Sequence, residues 1–356
     1  MKFRHLFLLL SVVFFLLGIG TASFGAVKKP VKKLPAKPAR KLSTIGTAQL
    51  PGDWCSLGKA YTLGKATAIN VTLKSAEYTI GGVKVGRFTH FPEKDQKLLV
   101  IHFTLHNPLP KERAINGYTI YWTAVDAKSE NKNQLYQAIG VDDANRNELN
   151  QTLKPAQKVE AFAVIRVDAY GPVPKLMAEN RTDKGSPVAR YDMHGKITPL
   201  TALYADPSDP TGSTVVKKIT GVMGTSYITG AYQISLEKVE FINPPLDTTN
   251  CRNDEVFAVV TFDLGYCGEG AGALGGSGSP MDMKIEDMDG FKYDWSRGPM
   301  AVSSFKLLKQ GIERDSPLKI RMAFPVPKNT ALKNLTSKTW TGFPVVFDLS
   351  AYKSPQ

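Results

Sequence analysis

Two stretches of the chain, INVTLKSAEYTI (Ile69 to Ile80) and YQISLEKVEFIN (Tyr232 to Asn243), carry one pattern. Apolar and polar residues alternate, then a step of three leads to the next apolar residue. Val71, Leu73, Ala76 and Tyr78 in the first answer Ile234, Leu236, Val239 and Phe241 in the second. Alternation with period two marks half-buried β-strands. The same irregularity at both places means that one kind of strand is used twice. In KLLVIHFTLH, Leu99, Ile101, Phe103 and Leu105 face one way, His102 and Thr104 the other. Adding 159 to each number gives Ala258, Val260, Phe262 and Leu264, one face of EVFAVVTFDL.

The match runs on. YTIYWTAVDAKSENKNQLY corresponds to PMDMKIEDMDGFKYDW, with Trp122 opposite Met283 and Asp126 opposite Asp287. LKPAQKVEAFAVIRV corresponds to LKQGIERDSPLKIRM, with Arg166 opposite Arg321, and the halves end on Tyr191-Asp192-Met193 and Phe347-Asp348-Leu349. Order is kept and the offset drifts only between about 155 and 163, so the sequence reads as a tandem duplication. Each half consists of short alternating runs punctuated by Gly, Pro, Asn and Asp, which calls for two antiparallel β-sandwiches. Trp122 is expected to fill one core, and Met283 the other more loosely.

The first half also resembles a known family. YTLGKATAINVTLKSAEYT, a strand ending in Asn107 (TLHNPLP), a D-x-x-G-like turn and the lead-in LKPAQKV are similar to exported bacterial immunoglobulin-like domains of unknown function. That family is related to the mycobacterial immunoprotective extracellular antigen. The second half departs from it, with Gly265-Tyr266-Cys267 where the Asn turn would be. The resemblance implies an immunoglobulin-like sandwich outside the cytoplasm and supplies no catalytic residue. The expected fold is therefore all-β: two tandem immunoglobulin-like antiparallel β-sandwiches after a signal peptide and a disordered basic linker. Module 1 spans 44–195, an inter-module linker 196–225, module 2 226–351 and a tail 352–356.

The signal peptide is read from MKFRH, about fifteen apolar residues and the small-residue stretch TASFGA, with cleavage after Gly25. The apolar run falls short of the ~20 residues that span a bilayer, so no transmembrane span is expected after processing. Residues 26–43 are rich in Lys, Pro and Ala. Nine basic side chains and no acid fall within residues 1–43, so only +4 of the formal net charge of +13 belongs to the remainder. Lys28, Lys29, Lys32, Lys33, Lys37, Arg40 and Lys41 suit a semi-rigid stalk or a contact with an anionic polymer or membrane surface. Export removes nucleic acid as a partner and leaves an envelope protein or an anionic cell-wall polymer, in the periplasm or outside the cell.

Chemistry-bearing patterns are sparse. His102 and His106 lie on one strand face roughly 13 Å apart, too far to share a metal ion, and are expected to be solvated. Cys55, Cys251 and Cys267 are odd in number. Cys251 and Cys267 flank a strand spanning roughly 33 Å, far beyond the ~7 Å a disulfide tolerates. Pairing of Cys55 with either would need contact between modules, and free or intermolecular thiols remain. GYCGEGAGALGGSGSP lacks the ending of a phosphate-binding loop and is read as a flexible connection. Asp287, Asp289 and Asp294 form a weak calcium candidate in what is foremost an Asp-Gly hairpin signal. Gly298 stands where an EF-hand would place Glu. No nucleophile elbow, His-Glu-x-x-His or Cys-x-x-Cys occurs, so no catalytic set and no cofactor are expected. The reading is a non-enzymatic envelope protein that binds or supports. The alternative is an enzyme or enzyme accessory acting on cell-wall polymer at a site between the modules.

If the basic segment holds the chain to an anionic envelope, removing residues 26–42 should abolish a retention that ~1 M salt also abolishes, because the Debye length there is about 3 Å. Equal, salt-insensitive retention of both forms on isolated envelopes would leave the segment a spacer.

Overall fold

In the computed structural model the described residues are 54–140, 147–183, 185–268, 271–272, 281–308, 311–314, 316–339 and 342–356. The signal-peptide and basic-linker assignments lie outside them. Among the described residues there is no helix.

Among the described residues twelve strands build module 1: β1 (Ala60–Leu63), β2 (Ile69–Thr79), β3 (Val83–Val85), β4 (Phe88–His90), β5 (Gln96–His106), β6 (Arg113–Asn116), β7 (Ile120–Val125), β8 (Asn131–Ile139), β9 (Asn150–Leu153), β10 (Lys158–Asp168), β11 (Lys175–Asn180) and β12 (Ala189–Asp192). Twelve more build module 2: β13 (Ile219–Gly221), β14 (Tyr227–Thr229), β15 (Tyr232–Ile242), β16 (Glu255–Tyr266), β17 (Ala271–Gly272), β18 (Met281–Asp287), β19 (Lys292–Asp294), β20 (Arg297–Ala301), β21 (Ile312–Glu313), β22 (Leu318–Pro327), β23 (Leu332–Thr339) and β24 (Val345–Asp348). In module 1 the order β1-β2-β5-β10-β8-β7-β11-β12 is continuous, because β8 pairs with β10 and then with β7. In module 2 the sheet β14-β15-β16-β22-β20 and the sheet β13-β24-β23-β18-β19 are separate. Among these strands the pairing is antiparallel except for the parallel β13–β24.

The step of three in the sequence is a β-bulge. Leu73 pairs with Phe103 and Ser75 with His102, so Lys74 is the extra residue. Leu236 pairs with Phe262 and Lys238 with Thr261, so Glu237 is extra at the equivalent place. A bulge lets Leu73 and Ala76 both face the core although they are three apart.

The ladders also correct one sequence match. Phe103 pairs with Ala161 and Phe262 with Ile320, so β10 and β22 correspond at the same offset as β5 and β16. Arg321 then takes the place of Phe162, and Arg166 that of Pro325. The offset of 155 that aligned the two arginines matched their similar neighbourhoods four residues out of register, whereas hydrogen-bonded pairing determines which residues are equivalent.

Both cores are aromatic at matched positions. Phe103 lies 5.3 Å from Trp122, which lies 6.0 Å from Tyr191, with Tyr61 edge-on to Tyr191 at 6.3 Å. In module 2 Phe262 meets Phe347 at 6.3 Å, with Tyr227 edge-on at 5.9 Å. Met283 is fully buried where module 1 has Trp122. Gly221 passes so close to Phe347 that a Cβ would sit 2.5 Å from its ring.

The stretch 196–225 connects the modules as packed chain. Leu200, Val215 and Ile219 are buried in one apolar cluster that includes both cores, and β13 already belongs to module 2 upstream of residue 226. The Tyr204 hydroxyl accepts the Ile228 amide at 3.2 Å. On the module 1 side, the ammonium of fully buried Lys97 donates to the carbonyls of Ala169 (3.3 Å), Gly171 (2.8 Å) and Ser213, and lies 4.5 Å from the Tyr78 ring centroid. Burial pushes its pKa down to about 8. The tail is packed as well: Ser354 is buried, accepting the Thr330 amide at 2.7 Å and donating to the Pro327 carbonyl at 2.8 Å.

Phe103→Ala and Phe262→Ala should each cost about 3–5 kcal/mol in denaturant unfolding, since both rings are buried at the sandwich centre. His102→Ala should change stability by no more than roughly 0.5 kcal/mol. Similar losses at His102 and Phe103 would contradict the assigned faces.

Candidate functional site

The outer face of the β2-β5-β10 ladder is divided along its length. At one end the β3–β4 hairpin lays Val83 and Val85 over Leu98, Val100, Ala138, Phe162 and Val164. The other end is open and polar. It forms two adjacent hollows of about 300 and 310 Å³ that share Lys74 and Glu160. The bulge presents Lys74 and Ser75 there, β5 contributes His102, Thr104 and His106, and β10 contributes Lys158 and Glu160.

A relay of hydrogen bonds orders this floor. The Thr62 hydroxyl donates to Asn70 Oδ1 at 2.7 Å, and Asn70 Nδ2 donates to His106 Nδ1 at 3.0 Å. An amide nitrogen can only donate, so Nδ1 is the acceptor and the His106 proton sits on Nε2. Burial and then the charge of Lys158 hold this imidazole below its ordinary range. His106 is thus a buried neutral donor and not the solvated side chain that alternation alone implies. His102, half-buried, lies 3.3 Å from Glu77. The Thr104 hydroxyl oxygen is buried without a protein partner. Among the described residues Lys74 and Lys158 are exposed and have no carboxylate partner.

Module 2 repeats the arrangement. Leu246 and Met300 cover Phe257, Val259 and Ala323 at one end of its outer face. The other end is a hollow of about 400 Å³ lined by Gln233, Ser235, Glu237, Asp263 and Gly265 among others. By the ladder registers these occupy the places of Asn70, Thr72, Lys74, Thr104 and His106.

The calcium candidate resolves into a turn. Asp287 Oδ1 accepts the amides of Asp289 (3.0 Å) and Phe291 (2.9 Å), and Oδ2 accepts the Tyr293 hydroxyl at 2.6 Å. Asp126 closes the matching turn of module 1 with the amides of Lys128 (2.9 Å) and Glu130 (2.8 Å). Asp294 is paired with Lys284 at 3.1 Å. Among the described residues no group of three or more His, Cys, Asp or Glu side chains could hold a metal ion. None of Cys55, Cys251 and Cys267 forms a disulfide. Cys251 and Cys267 lie beyond opposite ends of the continuous β16, and burial pushes the Cys55 thiol up to about 11. Lys28, Lys29, Lys32, Lys33, Lys37, Arg40 and Lys41 lie outside the described residues. Sequence reasoning passed over Asn70, Lys74, Thr104, Lys158 and Glu160; the available signal was the step of three that puts Lys74 on the bulge.

No family model matches the chain, and no curated protein matches it. Among solved structures it is similar to an uncharacterized β-sandwich protein from Clostridium difficile 630, with 11% identity, 41% of this chain and 98% of that chain covered, and a TM-score of 0.31. It is also similar to a candidate lipoprotein from Bacillus subtilis subsp. subtilis str. 168, with 10% identity, 57% of this chain and 73% of that chain covered, and a TM-score of 0.28. Both likenesses are weak and nothing further follows from them. No helix among the described residues is long and apolar enough to cross a membrane.

Long-range ¹H–¹⁵N NMR should find His106 as the Nε2–H tautomer, with a titration midpoint below that of a free imidazole. Asn70→Ala should remove the tautomer preference. A proton on Nδ1 in the parent chain would refute the relay.

Proposed function

We propose that this is an exported, non-enzymatic binding protein of the cell envelope, and that the open groove of module 1 recognises an anionic group on its partner. The observation that carries the reading is the pairing of two unpartnered lysines, Lys74 and Lys158, with the Nε2–H of His106 in the floor. Charged donors beside a neutral one suit a carboxylate or phosphate oxygen, for which charge-assisted hydrogen bonds are the strong ones. Exposure of the lysines makes the attraction chiefly a matter of selection and encounter rate, sensitive to salt. Descent of the two modules from one immunoglobulin-like ancestor, and kinship with the exported family that module 1 resembles, belong to the same proposal. They are supported by the shared bulge, the matched aromatic positions and the matched Asp126 and Asp287 turns. The rival reading, an enzyme with its site between the modules, has no observation in its favour among the described residues.

The full chain carrying Lys74→Glu and Lys158→Glu should lose at least tenfold in low-salt retention on isolated envelopes, with an unchanged melting temperature. Retention equal to that of the parent would sink the groove as the site that holds the chain to the envelope.

A further inference from the structure

The two grooves occupy equivalent frames and carry opposite charges. At the bulge Lys74 is replaced by Glu237. On the central strand Thr104 is replaced by Asp263, and on the third strand Glu160 is replaced by Lys319. Lys158 is replaced by Pro317. Module 1 therefore shows two lysines against one glutamate. Module 2 shows Glu237 and Asp263 against Lys319, which lies 3.7 Å from Asp263, while Lys238, at the place of Ser75, is taken up by Glu240 at 2.7 Å. The sign changes at the bulge and on the third strand fall on side chains that face away from both cores, so packing does not dictate them.

We propose that the acidic groove of module 2 on a second copy of this chain is the partner of the basic groove of module 1. This rests on the reading of the module 1 groove as a site for anionic groups and names the source of that group. Like faces meeting would set lysines against lysines or carboxylates against carboxylates, whereas unlike faces attract, so charge selects the heterologous contact over either homologous one. Both grooves are open in a single copy, so they do not close on each other within the chain. The packed connection keeps both faces on one compact unit, Leu42–Gln356, which makes each copy bivalent. Such a contact is satisfied twice in a two-fold pair or once per step in a chain of copies. Because the charges are exposed, the association is weak and falls with salt, as the Debye length drops from about 10 Å at 0.1 M to about 3 Å at 1 M.

The test is sedimentation of the full exported chain at low salt. One variant carries Lys74→Glu and Lys158→Glu, the other Glu237→Lys and Asp263→Lys, and Glu237→Lys alone serves if the second folds poorly. Each variant by itself should associate at least tenfold more weakly than the parent. An equimolar mixture should regain association to within a few-fold, because each variant then meets a face of opposite sign. A parent chain that stays monomeric at low salt overturns the proposal, as does a mixture that stays dissociated while the parent associates. Association that survives in both variants and disappears on removing residues 26–42 assigns it to the basic segment and overturns it equally. A monomeric parent whose module 1 variant still loses envelope retention would leave the anionic-group reading standing and remove only the second copy as its source.

Discussion

Much of the structure depends on a single departure from strand regularity, the bulge in β2 and its counterpart in β15. A pleated strand shows alternate residues to opposite faces, and one extra residue reverses every later assignment. Here that residue is Lys74 or Glu237, and the reversal is what returns Ala76 and Val239 to the core. It also places a charged side chain on the outer face at the point where the covering hairpin or loop has ended. The device that keeps the core apolar is thus the device that equips the groove.

The second constraint is the connection. A spacer between independent sandwiches would be polar and exposed, but here Leu200, Val215 and Ile219 join the apolar cluster shared by both modules. Lys97 anchors the other side of it. An ammonium removed from water is costly unless its donors are satisfied. Three carbonyls and the Tyr78 ring meet that requirement, and two of the carbonyls, of Gly171 and Ser213, lie far apart in sequence. The lysine therefore holds the connection against β5 in a way that an apolar side chain would not.

The grooves follow from incomplete coverage of a sheet. An outer face covered along its whole length would be apolar throughout, and one left bare would be polar throughout. In both modules the face changes character halfway, from Leu98 and Val100 to Thr104 and His106, and from Phe257 and Val259 to Asp263 and Gly265. A buried relay through Thr62, Asn70 and His106 gives the first groove a fixed donor. The second has glycine in place of that histidine, and its chemistry is carried by carboxylates.

The sequence by itself determined the all-β class and the inward faces of the long strands, because period-two alternation is a local property that burial enforces residue by residue. It also made the pairs Asp126 with Asp287 and Phe103 with Phe262 visible. It did not determine the register of β10 against β22, since similar neighbours align Arg166 with Arg321 as well as the true pairing aligns Phe162 with Arg321. Nor did it show that His106 is buried, because strand alternation separates the two faces without saying which stretch of an outer face another segment covers. The groove unites residues of β1, β2, β5 and β10, whose closeness is created by sheet order, and the reversed charges of the two grooves become comparable only once both ladders are in register. Those are properties of pairing between distant strands, and only the tertiary structure decided them.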